Sequence, residues 1–359
     1  MMAESLDTKE PVRLAAEGHI CFIETLTRGV ADRLRDLTET RRGLILLDRA
    51  FEGEADAWES ALPGFRVLFT RRPGEEAKTL DEARLILEAL AREKLARDDW
   101  LIVRGGGSLT DLGAFCAGLY RRGLKLILVA TTILGAVDAA VGGKTAVNFA
   151  GAKNQIGHFY LPQWVLVDLE SFRTLPEVRR AEGLVEAYKT GLLFDPDLAA
   201  LVERDLDALM AGDSDRLAEV IHRSYAAKAA LVELDFREEK GIRDILNLGH
   251  TYGHVLESYY SPELSHGRAV AFGLAAAADF SWRRGWLSKN DMARVIETAG
   301  RLGRPWPALP PEQRARELLT TDKKIRGDKL RFVVLEELGR PRLIEASADD
   351  VLRSAQAVE

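Results

Sequence analysis

Short apolar runs alternate with stretches of helical spacing in the first half of the chain, and this alternation restricts the fold more than any other feature. Residues 43–48 and 65–70 are apolar runs, and residues 79–97 then carry apolar side chains at helical intervals. Further apolar runs follow at 100–103 and 124–129. Runs that are apolar throughout are typical of parallel strands covered on both faces. The pattern therefore predicts an open α/β sheet of the dinucleotide-binding kind.

The pattern changes near residue 170. Beyond it, long amphipathic stretches predict helices, and strand signals nearly vanish until residues 330–335. The helical stretches are residues 177–193, 196–211, 215–234, 242–259 and 267–284. A chain of 359 residues also exceeds the usual size of one compact core. We therefore predict a Rossmann-like domain with a parallel sheet over residues 1–170 and a mostly α-helical domain over residues 171–359.

Composition and charge narrow the classes of partner. With 47% hydrophobic and 30% charged residues, the chain is typical of a globular protein. Its formal charge of −6 disfavours nucleic acid, because a surface that follows a phosphate backbone needs an excess of positive charge. Cys21 and Cys116 lie far apart without a CxxC pair, which fits a reducing cytoplasm and gives no reason to expect disulfides.

No segment favours a membrane or secreted protein. The first ten residues carry acidic side chains and no apolar run, so we expect no secretory signal. The longest apolar stretch, residues 124–140, is about as long as a short membrane span. It contains Thr131, Thr132 and Asp138, however, and a buried strand that continues into a functional loop explains it better. We therefore expect a cytoplasmic protein without membrane association.

A glycine triplet follows the predicted strand at residues 100–103 and precedes a predicted helix. Gly105, Gly106 and Gly107 leave backbone amides uncovered, and a helix start adds partial positive charge, so a pyrophosphate can bind there. The triplet alone is a weak signal, because a tight turn explains it about as well and the GxGxxG spacing is absent. Asp111, four residues beyond the triplet, has the alternative role of an acid at a helix start.

A polar helical face gives the strongest local signal. It consists of Arg243, Asn247, His250 and His254, separated by four, three and four positions. On one helix these side chains share a face, which has little value as core packing. The alternative is a solvated face with chance histidines. The HxxxH spacing also suggests a metallopeptidase, but Thr251 stands where HExxH requires the general-base glutamate, so a peptidase is excluded.

Nearby residues supply candidates for a divalent metal site. A catalytic metal needs three protein ligands and an open position. His250 and His266 are candidate ligands, together with an acid from elsewhere in the chain. Glu186 is attractive because it lies one helical turn from Lys189 in a stretch that is otherwise apolar on that side. The alternative for these two residues is an ion pair at the surface.

A polar loop with lysines follows the buried strand at residues 124–129. It includes Lys144, Lys153 and Asn154, and ligands bind at the carboxyl ends of strands in open α/β sheets. Gly-Gly-Lys-Thr suggests a P-loop, but GxxxxGK[ST] requires a glycine where this chain has Asp138. A P-loop is therefore disfavoured.

Taken in order, these motifs resemble those of the 3-dehydroquinate synthase family of sugar phosphate cyclases. The resemblance extends from about Gly74 to Val334. The matching segments are Gly105–Asp111, Arg122–Gly123, Thr131–Asn148, Lys153–Pro162, Gly183–Lys189, Arg243–His254, His266–Val270 and Asp322–Lys324.

The resemblance implies a Rossmann-like NAD domain followed by a helical metal-binding domain. NAD and a divalent metal would be the cofactors, the metal usually being zinc, with cobalt as an alternative. Glu186, His250 and His266 would bind the metal. Residues near NAD would be Asp48, Glu75, Lys78, Gly105, Gly106, Gly107, Asp111, Thr131, Thr132 and Lys153.

The resemblance also implies a small phosphorylated sugar acid as substrate, 3-deoxy-arabino-heptulosonate 7-phosphate. Transient oxidation, phosphate elimination, reduction and intramolecular aldol addition would give 3-dehydroquinate. Residues around the substrate would be Asp138, Lys144, Asn154, Lys189, Lys228, Arg243, Asn247, His254 and Lys324 or its neighbour Lys323. Arg122 would enter the phosphate pocket from the neighbouring subunit of a homodimer.

Other functions remain as alternatives. Another cyclase would act on sedoheptulose 7-phosphate or glucose 6-phosphate, and a metal-dependent polyol or glycerol dehydrogenase would produce net NADH from a simple alcohol. A non-catalytic NAD-binding relative would be expected to lose metal ligands, and none is missing from the sequence. Ala130, Arg268 and an apparent extra residue before Arg243 depart from the usual family pattern and would mark a specialised member.

Overall fold

The structure is a computed structural model that describes residues 10–39, 41–261, 263–321, 325–326 and 329–358. The predicted substrate residue Lys324 and its neighbour Lys323 lie outside the described residues. Contacts within the described chain divide it into two compact units. The first extends to Leu175 and also includes Leu217–Arg237, while the second comprises Pro176–Arg216 and the chain from Glu238 onward.

A mostly parallel sheet forms the first unit. Its strands are β1 (Val12–Ala16), β2 (His19–Leu26), β3 (Gly43–Leu47), β4 (Phe65–Phe69), β5 (Trp100–Gly105), β6 (Lys125–Ala130) and β9 (Trp164–Asp168). Within the described residues they are ordered β1-β2-β9-β6-β5-β3-β4, and only the β1–β2 pair is antiparallel. The predicted parallel α/β sheet is confirmed.

Helices cover this sheet and bury its apolar side chains. They are α1 (Val30–Thr38), α2 (Ala55–Ala61), α3 (Leu80–Arg92), α4 (Gly107–Leu119) and α5 (Leu169–Phe172). Alternate strand residues such as Ile45, Leu47 and Ile102 belong to one buried cluster with Leu34 of α1. Burial of each such side chain contributes about 1.5–3 kcal/mol, which explains why the central strands are mostly apolar.

The segment predicted as a polar loop contains a β-hairpin. Strands β7 (Lys144–Phe149) and β8 (Ala152–Phe159) pair antiparallel, and Ala150 and Gly151 between them both have positive φ. A π-helical turn, Gly135–Ala139, precedes the hairpin. Polar and glycine residues weaken the strand signal here, and the prediction of a loop was therefore incomplete.

The second unit is mostly helical, as predicted. Its helices are α6 (Glu177–Phe194), α7 (Pro196–Ala211), α9 (His250–Tyr259), α10 (His266–Arg283), α11 (Lys289–Gly303), α12 (Glu312–Thr321) and α13 (Ala348–Val358), while α8 (Ser214–Leu234) lies almost wholly in the first unit. A small antiparallel sheet contains β10 (Ile325–Arg326), β11 (Lys329–Glu337) and β12 (Arg340–Ala346). Among the described residues, no helix has the length and apolar character needed to cross a bilayer.

Capping residues set several of the helix limits. The side chains of Thr79, Asp195 and Ser288 accept hydrogen bonds from backbone N–H groups in the first turns of α3, α7 and α11. Gly212 caps α7 directly after its last residue and adopts the left-handed conformation that glycine favours at a helix end. Sequence periodicity alone placed these limits to within a few residues.

The single helix predicted over residues 242–259 is wrong. A 3₁₀ turn, Ile242–Asn247, is followed by Gly249 at a φ of +78°, and α9 begins only at His250. The interruption lets Gly249 approach α10, where a Cβ on Gly273 would lie 1.8 Å from the Gly249 carbonyl oxygen. The 3₁₀ turn and α9 are therefore separate elements, and the predicted shared helical face does not exist.

Gly273→Ala tests the close contact between α9 and α10. In an unobstructed helix interior, alanine is favoured over glycine by about 1 kcal/mol. The new Cβ would clash with the Gly249 carbonyl, so we expect the free energy of unfolding to fall by roughly 2 kcal/mol or more in urea titrations. Gly53→Ala is the control, since nothing lies within 4 Å of a Cβ there. Unchanged stability of Gly273→Ala would contradict the contact.

Candidate functional site

Three potential metal ligands converge in the second unit. Glu186 projects from α6, and His250 and His266 are the first residues of α9 and α10. One ligand atom from each lies within 4.8 Å of the other two. Glu186 Oε1 is 3.7 Å from His250 Nε2 and 3.4 Å from His266 Nε2. The structure thus brings together the three residues that the sequence analysis selected as metal ligands.

Hydrogen bonds fix which nitrogen of each imidazole faces the cluster. His250 Nδ1 is 3.1 Å from the Leu248 carbonyl oxygen, and His266 Nδ1 is 3.1 Å from Glu257 Oε2. Because a carbonyl accepts and an ionised carboxylate accepts, each Nδ1 carries a hydrogen and donates it. In both residues Nε2 is therefore the nitrogen that faces Glu186 and that can coordinate a metal once it carries no proton.

The donor set fits a divalent ion. Glu186 Oε1 is buried and has no hydrogen-bond partner, whereas Glu186 Oε2 accepts from Lys189 Nζ at 2.5 Å. A buried carboxylate oxygen without a partner is costly, and a cation between it and the two imidazoles would remove that cost. One carboxylate and two imidazoles suit zinc or cobalt and leave a coordination position open.

Burial and neighbouring charges set the protonation states in this cluster. Burial raises the pKa of Glu186, but the positive charge of Lys189 and the imidazoles outweighs it and holds that pKa well below its usual range. Burial and Lys189 together lower the pKa of His250 well below its usual range. Burial also lowers the pKa of His266, yet the carboxylates of Glu186 and Glu257 reverse this and raise it to about 10.

The Glu186–Lys189 pair is not at the surface. Their side chains are only 2% and 4% exposed, so the alternative of a solvated ion pair is wrong. The sequence could not distinguish the two cases because the spacing is identical in both. The buried side of α6 extends well beyond the pair and includes Leu184 and Leu192.

The remaining predicted polar residues of the second unit lie on different elements. Arg243 and Asn247 belong to the 3₁₀ turn before α9, and His254 packs edge-on against the His250 ring at a centroid distance of 5.4 Å. Arg243 is buried, with its Nε 3.3 Å from Glu238 Oε1. Asn247 Nδ2 donates to the Asp244 carbonyl at 2.9 Å. The contacts of Arg243 and Asn247 stabilise the 3₁₀ turn, although these residues are not part of an α-helix.

Sequence reasoning missed Glu257, which holds His266. Glu257 lies seven residues after His250, so two helical turns place both residues on the same face of α9. That spacing was the available signal. Arg268, which departs from the family pattern, donates from Nε to the Gly303 carbonyl at 3.2 Å and so interacts with the end of α11.

Predicted cofactor residues of the first unit lie where neighbouring strands end. Asp48 follows β3 and accepts from Ala50 N at 2.9 Å and Gly74 N at 2.7 Å. The glycine triplet joins β5 to α4, and Thr131, directly after β6, donates its backbone N–H to the Gly105 carbonyl at 3.0 Å. Thr132 Oγ1 accepts from the backbone N–H of Gly135 at 3.0 Å.

A polar network joins further predicted residues of this unit. Lys78 Nζ donates to Asp111 Oδ2 at 2.5 Å and to Asn154 Oδ1 at 2.6 Å. Glu75 Oε2 accepts from Ser108 Oγ at 2.5 Å. Burial raises the pKa of Asp111 to about 6, although the Lys78 charge opposes the shift. Cofactor candidates and the substrate candidate Asn154 thus belong to one network.

The other predicted residues of the first unit lie on several further elements. Lys228 of α8 donates to the Asp138 carbonyl at 2.5 Å and pairs with the Asp138 carboxylate. Lys144 is exposed at the start of β7, and Lys153 is exposed on β8. Arg122 is exposed after the last turn of the 13-residue helix α4, so about 20 Å of helix separates it from the glycine triplet.

Sequence comparisons relate most of this chain to one family. Residues 68–182 match the family model described as 3-dehydroquinate synthase N-terminal, and residues 183–325 match the model described as 3-dehydroquinate synthase C-terminal. A 3-dehydroquinate synthase from Halorhodospira halophila (strain DSM 244 / SL1) is 43% identical over 283 residues, covering 78% of this chain and 79% of that protein.

Solved structures share the fold. A 2-deoxy-scyllo-inosose synthase complexed with carbaglucose-6-phosphate, NAD+ and Co2+ has a TM-score of 0.85 at 22% identity, covering 97% of this chain and 99% of that chain. A 2-epi-5-epi-valiolone synthase from Streptomyces hygroscopicus subsp. jinggangensis 5008, with NAD+ and Zn2+ bound, has a TM-score of 0.84 at 24% identity, covering 100% and 99%.

Glu257→Gln tests the support of His266. The glutamine side chain has no charge, so its oxygen accepts a weaker hydrogen bond from His266 Nδ1 than a carboxylate does. Its NH₂ group can also turn toward Nδ1 and accept nothing. The imidazole is therefore oriented less firmly in the variant. We expect the dissociation constant for zinc to rise about 10–100-fold, measured by competition with a chromogenic chelator. Glu297→Gln, on an exposed position of α11, is the control and should bind zinc like the wild type. Equal affinity of Glu257→Gln would contradict the support.

Zinc affinity should rise with pH. The pKa of His266 in the metal-free site is about 10, so a proton must leave this imidazole before it can coordinate. Affinity should increase by up to about tenfold per pH unit below that value, and calorimetry in buffers of different ionisation enthalpy should detect the released proton.

The raised pKa of His266 also stabilises the metal-free fold below about pH 6.5, and that stabilisation is lost as pH rises through about 10. A zinc affinity that does not change with pH would contradict the raised pKa of His266.

Proposed function

Because the chain belongs to the 3-dehydroquinate synthase family, we propose that it converts 3-deoxy-arabino-heptulosonate 7-phosphate into 3-dehydroquinate and phosphate. The observation that carries the proposal is the buried Glu186–His250–His266 cluster, in which a carboxylate oxygen without a hydrogen-bond partner faces two imidazole nitrogens. A divalent ion, zinc or cobalt, and NAD are the proposed cofactors. The structural neighbours that contain NAD+ with Co2+ or Zn2+ support this choice.

Each cofactor has a chemical role that the residue types suit. Bound NAD supplies transient oxidation of a substrate secondary alcohol, and a bound divalent ion supplies polarisation of the oxygen on that carbon. Glu186, His250 and His266 would hold the ion, while Lys189 neutralises the second carboxylate oxygen of Glu186. The first turn of α4, which has no side-chain cap, would hold the pyrophosphate of NAD through its backbone amides. The proposed NAD contacts are completed by Asp48, Glu75, Lys78, Asp111, Thr131, Thr132 and Lys153.

The charged residues fit a substrate that carries both phosphate and carboxylate. Lysine and arginine side chains bind phosphate, and an arginine can bind a carboxylate through two parallel hydrogen bonds. We assign the carboxylate to Arg243, whose burial favours binding of a charged partner. The other proposed substrate residues are Asp138, Lys144, Asn154, Lys189, Lys228, Asn247, His254, Arg122 and Lys324.

We further propose a cytoplasmic homodimer. Arg122 lies at the far end of α4 from the glycine triplet, which supports a role in the phosphate pocket of a second subunit. Cys21 and Cys116 are both buried and form no disulfide, as a reducing compartment favours. The domain limits of residues 1–170 for NAD and 171–359 for the metal remain predictions.

Phosphate release tests the proposed reaction. Zinc-loaded protein with a catalytic amount of NAD is offered the heptulosonate phosphate, sedoheptulose 7-phosphate and glucose 6-phosphate in parallel. We expect phosphate and 3-dehydroquinate from the acid alone, without accumulation of NADH, because hydride is removed and returned in each turnover. Release from a neutral sugar phosphate alone would contradict the substrate, and net NADH from a simple alcohol would identify a dehydrogenase.

Arg243→Met tests the assignment of the carboxylate. Loss of a buried charged partner costs roughly 2 kcal/mol or more, so we expect kcat/KM for the acid substrate to fall at least about 30-fold. Arg342→Met is the matched control, because Arg342 is 56% exposed and forms a surface ion pair with Glu336. That variant should retain activity within about twofold, since such pairs contribute little. A similar fall in both variants would contradict a specific role for Arg243.

A further inference from the structure

Asn148 occupies an irregular position in the β7–β8 hairpin. The register changes from Val147 opposite Ile156 to Phe149 opposite Ala152. One residue of β7, Asn148, therefore lies opposite three residues of β8, and one of these, Asn154, has a φ of +56°. Such a bulge re-aims a side chain, and asparagine tolerates this left-handed conformation better than most residues.

The Asn148 side chain replaces the ladder hydrogen bond that the bulge removes. Its Oδ1 accepts from the backbone N–H of Asn154 at 3.0 Å. Its Nδ2 donates to Glu75 Oε1 at 2.8 Å. These partners fix the orientation of the amide, because an N–H group requires an oxygen and a carboxylate requires a donor.

The Asn148 backbone adds a third connection. Its N–H donates to the Lys78 carbonyl at 2.8 Å, and Thr79 forms a parallel bridge with it. Lys78 Nζ in turn donates to Asn154 Oδ1 at 2.6 Å. Glu75, Lys78 and Asn154 are thus held in one closed network that passes through Asn148.

We propose that Asn148 is a positioning residue that couples the cofactor carboxylate Glu75 to the substrate-binding residue Asn154. The inference rests on the proposed function, which gives Glu75 and Asn154 these roles. Asn148 itself need not touch either ligand. Its amide joins the two residues because the oxygen accepts a hydrogen bond from one and the NH₂ group donates a hydrogen bond to the other. A carboxylate of the same length lacks the donor, a hydroxyl side chain is too short to reach both partners, and an apolar side chain makes neither bond.

Two substitutions separate the two ends of the amide. Asn148→Asp retains an oxygen for the Asn154 N–H but places a second carboxylate against Glu75. Asn148→Ala removes both contacts. Gln155→Ala is the matched control, because Gln155 is an exposed amide on the same hairpin whose Nε2 donates to the Lys153 carbonyl.

Two readouts need no turnover. The NAD dissociation constant should rise about tenfold in both Asn148 variants, as expected for one lost hydrogen bond to a charged group. Hydrogen exchange at the Asn154 amide should accelerate in Asn148→Ala and remain slow in Asn148→Asp. If Asn148 had a purely structural role, both variants would lower the melting temperature, and exchange at the Asn154 amide would not differ between them. Gln155→Ala should match the wild type in both readouts.

The outcomes distinguish this inference from the proposed function. Unchanged NAD affinity in both Asn148 variants, or equal exchange at Asn154 in both, would overturn the coupling even if the wild type releases phosphate. Wild-type protein that binds NAD but releases no phosphate would contradict the proposed reaction, while the division between the variants would still establish the positioning role.

In steady-state assays with saturating NAD, Asn148→Ala should lower kcat/KM for the sugar phosphate about tenfold, because Asn154 loses its support. Asn148→Asp should stay within about threefold under the same conditions, since its oxygen still accepts from the Asn154 N–H. A larger loss in Asn148→Asp than in Asn148→Ala would contradict the assignment of the two ends.

Discussion

The second unit is organised around one buried carboxylate. A glutamate that is 2% exposed would cost several kcal/mol without compensating partners, and Lys189 satisfies only one of its two oxygens. The other oxygen accepts no hydrogen bond and faces two imidazole nitrogens instead. Helices α9 and α10 supply them by starting at His250 and His266, and the contact between Gly249 and Gly273 lets these helices lie close enough to do so.

The carboxyl edge of the parallel sheet sets the arrangement of the first unit, and this part follows from the sequence. Asp48, the glycine triplet and Thr131 each follow a strand, and β3, β5 and β6 are neighbours in the sheet. Parallel strands end at the same edge, so residues distant in sequence become adjacent there. Alternating strand and helix signals were therefore sufficient to predict both the fold and the location of these groups.

Contacts between distant residues explain what the sequence did not predict. A helical period over residues 242–259 is present in the sequence, but only the approach of Gly249 to Gly273 shows why the helix is interrupted. The candidate metal ligands were recognisable from residue type and family resemblance, whereas their convergence depends on the packing of three helices. Likewise, spacing shows that Glu257 shares a helix face with His250 and that Glu186 lies one turn from Lys189. It gives no information about whether these side chains are buried.

The β7–β8 hairpin shows why asparagine side chains, which are neutral, form the hydrogen bonds that link Glu75, Lys78 and the hairpin backbone. Glu75 and Asp111 already place two carboxylates in the network, and Lys78 is the ammonium bonded to Asp111 and Asn154. A further acid at position 148 or 154 would add negative charge where burial already raises the pKa of Asp111 to about 6. Asparagine supplies both a donor and an acceptor without that charge, so it adds no electrostatic repulsion for the anionic ligand that we propose at the glycine turn.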